Sequence, residues 1–244
     1  MKKSIVVILI ATMIAFGVVG CGKAVAIEPA ALNTSTGFSL KSADDTVLGK
    51  KETSTSSASE TSSSNGEFTS GEIKDNVYEN TFFNVKFPVA DDMVFADSVK
   101  LAELNNTVID TLDNKGAKET VKNGNPMVVA YAENARATSF NVAITSAGKL
   151  ATAVFNEKKV LEANRETVVK EFEGMGLSDV TTSVEKTTFL GEEHDSLIVR
   201  GKIQGQNFSQ KMIILIKDGY MAAFTISGLS EDSFSLFDGA TKIE

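Results

Sequence analysis

Apolar and polar positions divide the chain into three stretches. A mostly apolar run over residues 5–19 follows Lys2 and Lys3. From about residue 22 to residue 71 neither a strand period nor a helix period persists, and residues 53–64 are nearly all Ser and Thr. Such a stretch buries too little apolar surface to offset its ordering entropy, so we predict a flexible linker over residues 21–71. Both periods recur afterwards, which predicts a folded domain over residues 72–244.

Helical spacing appears in three places within that domain. The first predicted helix begins at Asp97 or Ser98, is stopped by Asn114 and Gly116, and is followed by a polar connection over residues 118–125. Its apolar face comprises Leu101, Leu104, Val108 and Leu112. A second helix is predicted over residues 157–173. Ser230 begins a short C-terminal helix.

Strand patterns outnumber helices, and they cluster in runs instead of alternating with helices. The predicted strands cover residues 83–87, 93–96, 127–131, 140–145, 180–189, 196–203, 208–216 and 220–227. Asp218-Gly219 is a strong two-residue hairpin signal. The last two strands carry apolar residues on both faces, which indicates that both faces are covered. We therefore predict an α+β fold with a mainly antiparallel central sheet and helices on both faces.

Three short motifs support a family resemblance. They are Val77-Tyr78-Glu79-Asn80-Thr81-Phe82-Phe83, Asp91-Asp92 and Leu101-Ala102-Glu103-Leu104-Asn105. In this order after a Ser/Thr-rich stretch, they resemble a group of small Gram-positive lipoproteins. The resemblance covers roughly residues 75–227 by element order, and it implies a PsbP/Mog1-like fold. It implies no catalytic or ligand residues, because the group has no shared chemical motif.

The N-terminus carries the features of a lipoprotein signal peptide. Two lysines precede an apolar run that is short for a membrane-spanning helix, and Cys21 follows directly. Val18-Val19-Gly20-Cys21 resembles the lipobox, in which a small residue precedes the cysteine that receives the diacylglyceryl group. We predict a signal peptide over residues 1–20 and acyl chains such as palmitate on Cys21. An ordinary secretory leader and an uncleaved anchor are the alternatives.

Charge and cysteine content narrow the possible partners. The formal net charge is −8, and removal of Lys2 and Lys3 with the leader makes it −10. An acidic chain without a basic patch argues against nucleic acid and against electrostatic docking on anionic lipid. Cys21 is the only cysteine, so no intramolecular disulfide forms. We expect attachment to the cell membrane, on its extracytoplasmic face, through Cys21.

Two constellations could carry chemistry. His194, the only histidine, stands in Glu192-Glu193-His194-Asp195 and could be a general base or a metal ligand, but we favour a solvated residue at a strand edge. Asp91-Asp92 could hold a cation weakly, but we favour a turn before a helix. No Gly-x-Ser-x-Gly elbow occurs, and we predict no metal site and no cofactor.

These observations favour a non-catalytic module over an enzyme. We expect a binding or accessory domain of the cell envelope, whose partner is an envelope protein, a glycan or a small ligand. The alternative is a hydrolase of envelope polymers that uses two carboxylates about 5 to 10 Å apart in a cleft.

Overall fold

The computed structural model describes residues 66–109, 112–146 and 156–243. Within these ranges the strands are β1 (Glu72–Lys74), β2 (Val77–Asn80), β3 (Val85–Pro88), β4 (Val94–Phe95), β5 (Met127–Glu133), β6 (Ser139–Ser146), β7 (Leu177–Phe189), β8 (Glu192–Ile203), β9 (Gln206–Lys217) and β10 (Tyr220–Gly228). The α-helices there are α1 (Ser98–Leu104), α2 (Asn114–Lys122) and α3 (Glu157–Gly174), and a 3-10 helix covers Glu231–Gly239.

The central sheet has the strand order β4-β5-β6-β10-β9-β8-β7. Each neighbouring pair in it is antiparallel. The Asp218-Gly219 turn joins β9 to β10 with positive φ angles at both residues, as the hairpin signal predicted. The predicted α+β fold with a mainly antiparallel sheet is therefore confirmed. Strands β1, β2 and β3 form a second antiparallel sheet, which is an addition to the predicted architecture.

One side of the central sheet packs against the second sheet, α2 and the 3-10 helix. Phe224 of β10 lies in one buried cluster with Phe87 of β3, Val121 of α2 and Phe237 of the 3-10 helix. Phe87 also stacks on Phe140 of β6, with ring centroids 4.1 Å apart. This cluster forms the larger part of the core.

The opposite side of the central sheet packs against α1 and α3. Ala223, which neighbours Phe224 along β10, is buried in a cluster with Leu161 and Phe172 of α3. Tyr131 of β5 is buried against the partly buried Leu101 of α1. Because successive residues of a strand face opposite sides, both faces of β10 are covered by other elements. The prediction of helices on both faces is confirmed.

The predicted helix between residues 98 and 114 is wrong in its extent. Asp97 caps α1 as predicted, but α1 ends just before Asn105. The Asn105 amide accepts a hydrogen bond from the Val128 N–H at 2.7 Å and donates one to the Val128 carbonyl at 2.8 Å. These bonds hold the chain against the edge of β5. Asp113 then caps α2 by accepting from the Gly116 N–H, so residues 114–122 are a helix, although we predicted a helix end at Asn114 and Gly116 and a polar connection over residues 118–125.

The residues before β1 already contact the domain. The ring of Phe68 lies 4.5 Å from that of Tyr220, measured between centroids. The Asn114 side-chain oxygen accepts hydrogen bonds from the N–H and the hydroxyl of Ser70, at 2.9 and 2.6 Å. The buried hydroxyl of Tyr78 donates to the Ser70 carbonyl at 2.8 Å. The chain is thus packed against the fold ahead of residue 72, where we placed the start of the domain.

Candidate functional site

Five chain segments meet at a pocket of about 300 Å³, which we call the His194 pocket. They are the turn between β2 and β3, the start of α3, the β7–β8 hairpin, the end of β9 and the C-terminal tail. The lining residues are Phe83, Asn84, Glu157, Leu190, Glu192, His194, Leu215, Ile216, Lys217 and Lys242. A backbone bridge between Lys86 and Thr241 positions the C-terminal tail here.

His194 is paired with a carboxylate and is largely buried. Its Nδ1 lies 3.0 and 3.1 Å from the two carboxylate oxygens of Glu157, and 12% of its side chain is exposed. The hydrogen bond that His194 donates to Glu157 raises the pKa of His194 above its ordinary value, against the opposing effect of burial. A carboxylate can only accept a hydrogen bond, so Nδ1 of His194 is the donor. The solvated strand-edge histidine that we favoured is wrong.

The local sequence around each partner explains how this pair forms. Asn156 caps α3, since its side chain accepts the Lys159 N–H, and Glu157 is the first residue of the helix. A carboxylate there is stabilised by the helix dipole. On β8, the ring of His194 packs edge-on against Phe189, with centroids 5.8 Å apart. The two partners are 37 residues apart, and no local pattern signals their meeting.

The remaining charges in the pocket are unequally matched. Glu192 pairs with Lys242, and the hydrogen bond from Lys242 lowers the pKa of the Glu192 carboxyl. Lys217 is half-buried, and its Nζ lies 5.1 Å from the centroid of the Phe82 ring. Within the described ranges no carboxylate lies within ion-pairing distance of Lys217. It is thus the one pocket cation there without an acidic partner.

Leu190 lines the pocket in a backbone conformation that a leucine rarely adopts. Its φ is +53°, at the first position of the two-residue turn Leu190-Gly191. The equivalent positions of the β8–β9 and β9–β10 turns hold polar residues, Gln204 and Asp218. Left-handed backbone costs about 1 kcal/mol for a residue with a Cβ, and such strain clusters at functional sites. A leucine at this turn position is visible in the sequence and could have marked Leu190 as a candidate functional residue, but our predictions missed it.

The other candidates from the sequence take structural roles or lie elsewhere. Asp91 and Asp92 form a turn, and Asp92 pairs with Arg136 and accepts a bond from the Asn134 amide at 3.2 Å. Arg136 lowers the pKa of the Asp92 carboxyl. No group of three or more potential metal-binding side chains occurs in the described part of the chain. Cys21, the predicted lipidation site, lies outside the described residues.

The pocket offers binding groups more readily than a nucleophile. None of its lining residues is a Ser, Thr or Cys. None of the helices described by the structure is both long enough and apolar enough to cross a membrane. The lining offers a ligand both charged groups and apolar side chains.

Comparisons with known proteins add little to what the geometry indicates about function. No protein-family model matches the chain, and no curated protein matches it. Among solved structures it is similar to the crystal structure of LpqN, which is involved in cell envelope biogenesis of Mycobacterium tuberculosis. That match has a TM-score of 0.33 and 13% sequence identity, and it covers 66% of this chain and 83% of that chain. The function proposed for this chain therefore rests on its own residues and their geometry.

Proposed function

We propose that this chain is a lipid-anchored protein of the extracytoplasmic membrane face whose α+β domain binds a ligand in the His194 pocket. The leader, Cys21 and the Ser/Thr-rich linker support the anchor and the location. The observation that carries the binding role is the convergence of five separate segments on one pocket, with apolar residues beside charged ones. We also propose a PsbP/Mog1-like fold and a non-catalytic, accessory role in the cell envelope.

The anchor is tested by metabolic labelling with palmitate. Label should enter the wild-type protein and be absent from the Cys21→Ser variant, because the thiol is the acceptor atom. Label in both proteins would end the lipoprotein assignment. Limited proteolysis tests the linker, since cuts should fall between about residues 22 and 65 and leave a resistant C-terminal domain.

The binding role is tested by mass spectrometry of small molecules that copurify with the protein from cells. Leu190→Trp should fill the pocket with an indole ring and abolish copurification. Gln204→Trp is the matched control, because Gln204 occupies the same position of the next hairpin turn, at a φ of +50°, and is exposed. A compound present with the wild type and the control but absent from Leu190→Trp supports the proposal. The same compound with all three proteins, or none with the wild type, contradicts it.

A hydrolase of envelope polymers remains the second candidate, because Glu157 and Glu192 both line the pocket. A general acid needs a raised pKa, whereas Lys242 lowers the pKa of the Glu192 carboxyl. The charge pattern therefore favours binding. Release of soluble fragments from purified cell-wall polymer by the wild type, but not by Glu192→Gln, would favour hydrolysis instead.

A further inference from the structure

We propose that the ligand of the His194 pocket carries an anionic group, which pairs with Lys217, joined to a small apolar part that packs on Leu190, Leu215 and Phe83. This inference rests on the proposed binding role of the pocket and adds the chemical class of the ligand. Three observations carry it: the charge balance of the lining residues, the position of Lys217, and the composition of the remaining surface.

The ion pairs among the lining residues indicate the sign of the ligand's charge. His194 pairs with Glu157 and Lys242 pairs with Glu192, so Lys217 is the basic side chain of the lining that has no carboxylate partner within the described ranges. An incoming cation would meet Lys217 and would have to break an existing pair to find a carboxylate. An incoming anion meets a cation that has no acidic partner within the described ranges. Electrostatic complementarity therefore favours an anion.

The side chain of Lys217 lines the pocket and contacts an aromatic ring. Its ammonium group lies over the Phe82 ring, and the aromatic face attracts the cation and limits its motion. The side chain is half-buried, and its ammonium group has no carboxylate partner within the described ranges. A carboxylate or phosphate oxygen would supply the missing charge-assisted hydrogen bonds.

The rest of the lining sets the size and polarity of the second part of the ligand. Leu190, Leu215 and Ile216 contribute aliphatic surface, and Phe83 contributes an aromatic ring. A volume of about 300 Å³ holds about ten water-sized groups at roughly 30 Å³ each. The apolar part that the pocket can enclose is therefore a short chain or a single ring.

Four water-soluble probes with one hexyl chain test the inference: hexanoate, hexyl phosphate, hexanol and hexylammonium. Their affinities for the full lipidated protein in nanodiscs are measured by ligand-observed NMR, with empty nanodiscs subtracted. We expect at least one of the two anions to bind about tenfold more tightly than hexanol and hexylammonium. The anion that binds more tightly then indicates whether the anionic group of the natural ligand is a carboxylate or a phosphate.

Variants separate the anion inference from the binding role. Lys217→Gln should weaken the bound anion about tenfold and leave hexanol unchanged, Lys217→Arg should retain the anion, and Lys122→Gln, at an exposed lysine, should have no effect. Equal binding of hexanol and both anions, or an unaltered anion affinity in a folded Lys217→Gln protein, would refute the proposal that the ligand is anionic. Either result would leave the binding role of the pocket in place. If none of the four probes binds, or if binding persists in Leu190→Trp, the binding role of the pocket is refuted as well.

Discussion

Replacement of Gly71 by alanine should destabilise the domain through one buried ring. Gly71 has a φ of +88°, and a Cβ built on it would lie 2.6 Å from both Cε2 and Oη of Tyr78. That ring cannot move away cheaply, because it is 1% exposed and its hydroxyl donates to the Ser70 carbonyl and accepts from the Asn80 amide at 2.8 and 2.9 Å. The substitution therefore combines backbone strain with a collision.

The expected loss in the free energy of unfolding is the sum of those two effects. Left-handed backbone costs an alanine about 1 kcal/mol relative to glycine. A displaced Tyr78 ring adds about 2 kcal/mol through overpacking and weakened buried hydrogen bonds. Gly176→Ala is the matched control, because Gly176 has a φ of +90° and nothing lies within 4 Å of its added Cβ. We expect losses in the free energy of unfolding of about 3 kcal/mol for Gly71→Ala and about 1 kcal/mol for the control.

Urea denaturation of the full chain, followed by far-ultraviolet circular dichroism, measures both losses. The difference between the two variants isolates the collision, since backbone strain and unfolded-state effects are shared. Equal losses for Gly71→Ala and Gly176→Ala would refute the packing of residues 66–71 against Tyr78.

The remaining predictions concern single interactions. The hydrogen bond that His194 donates to Glu157 raises the pKa of His194 above its unfolded value. The stabilisation by this pair is therefore complete below the unfolded pKa and is lost as pH rises through the folded pKa. Urea midpoints measured from pH 5.5 to 9 should fall more steeply for the wild type than for His194→Gln, and identical slopes would contradict the pairing. Asn105→Ala should cost about 2 kcal/mol, because the backbone N–H and carbonyl of Val128 lose their partners. A chemical denaturation curve that matches the wild type would exclude that role. Thr225→Val should leave stability unchanged or raise it by up to about 1 kcal/mol, since the fully buried Thr225 hydroxyl has no hydrogen-bond partner. A loss above 1 kcal/mol in the melting analysis would point to a polar ligand or water on that hydroxyl.

Capping and alternation were the most dependable signals in the sequence. The apolar residues on both faces of β9 and β10 correctly predicted that both faces of the sheet are covered, and Ser230 caps the C-terminal 3-10 helix as expected. The first helix shows where such signals fail. Leu104 and Val108 continue a helical pattern, but hydrogen bonds from Asn105 to β5 end the helix between them. That competition depends on a strand 23 residues away along the chain, which no local pattern records.

Sequence by itself determined the features that depend on near neighbours. These are the strands with their hairpin and the caps of the helices, whereas the leader, the lipidation of Cys21 and the Ser/Thr-rich linker stay predictions. Tertiary structure alone decided the partner of His194 and the existence of the pocket around it. The sequence around His194 suggested a solvated residue, whereas Glu157 reaches it from the start of another element. Ion pairs and pockets join residues through space, so they depend on how the sheets and helices pack and not on the order of residues along the chain.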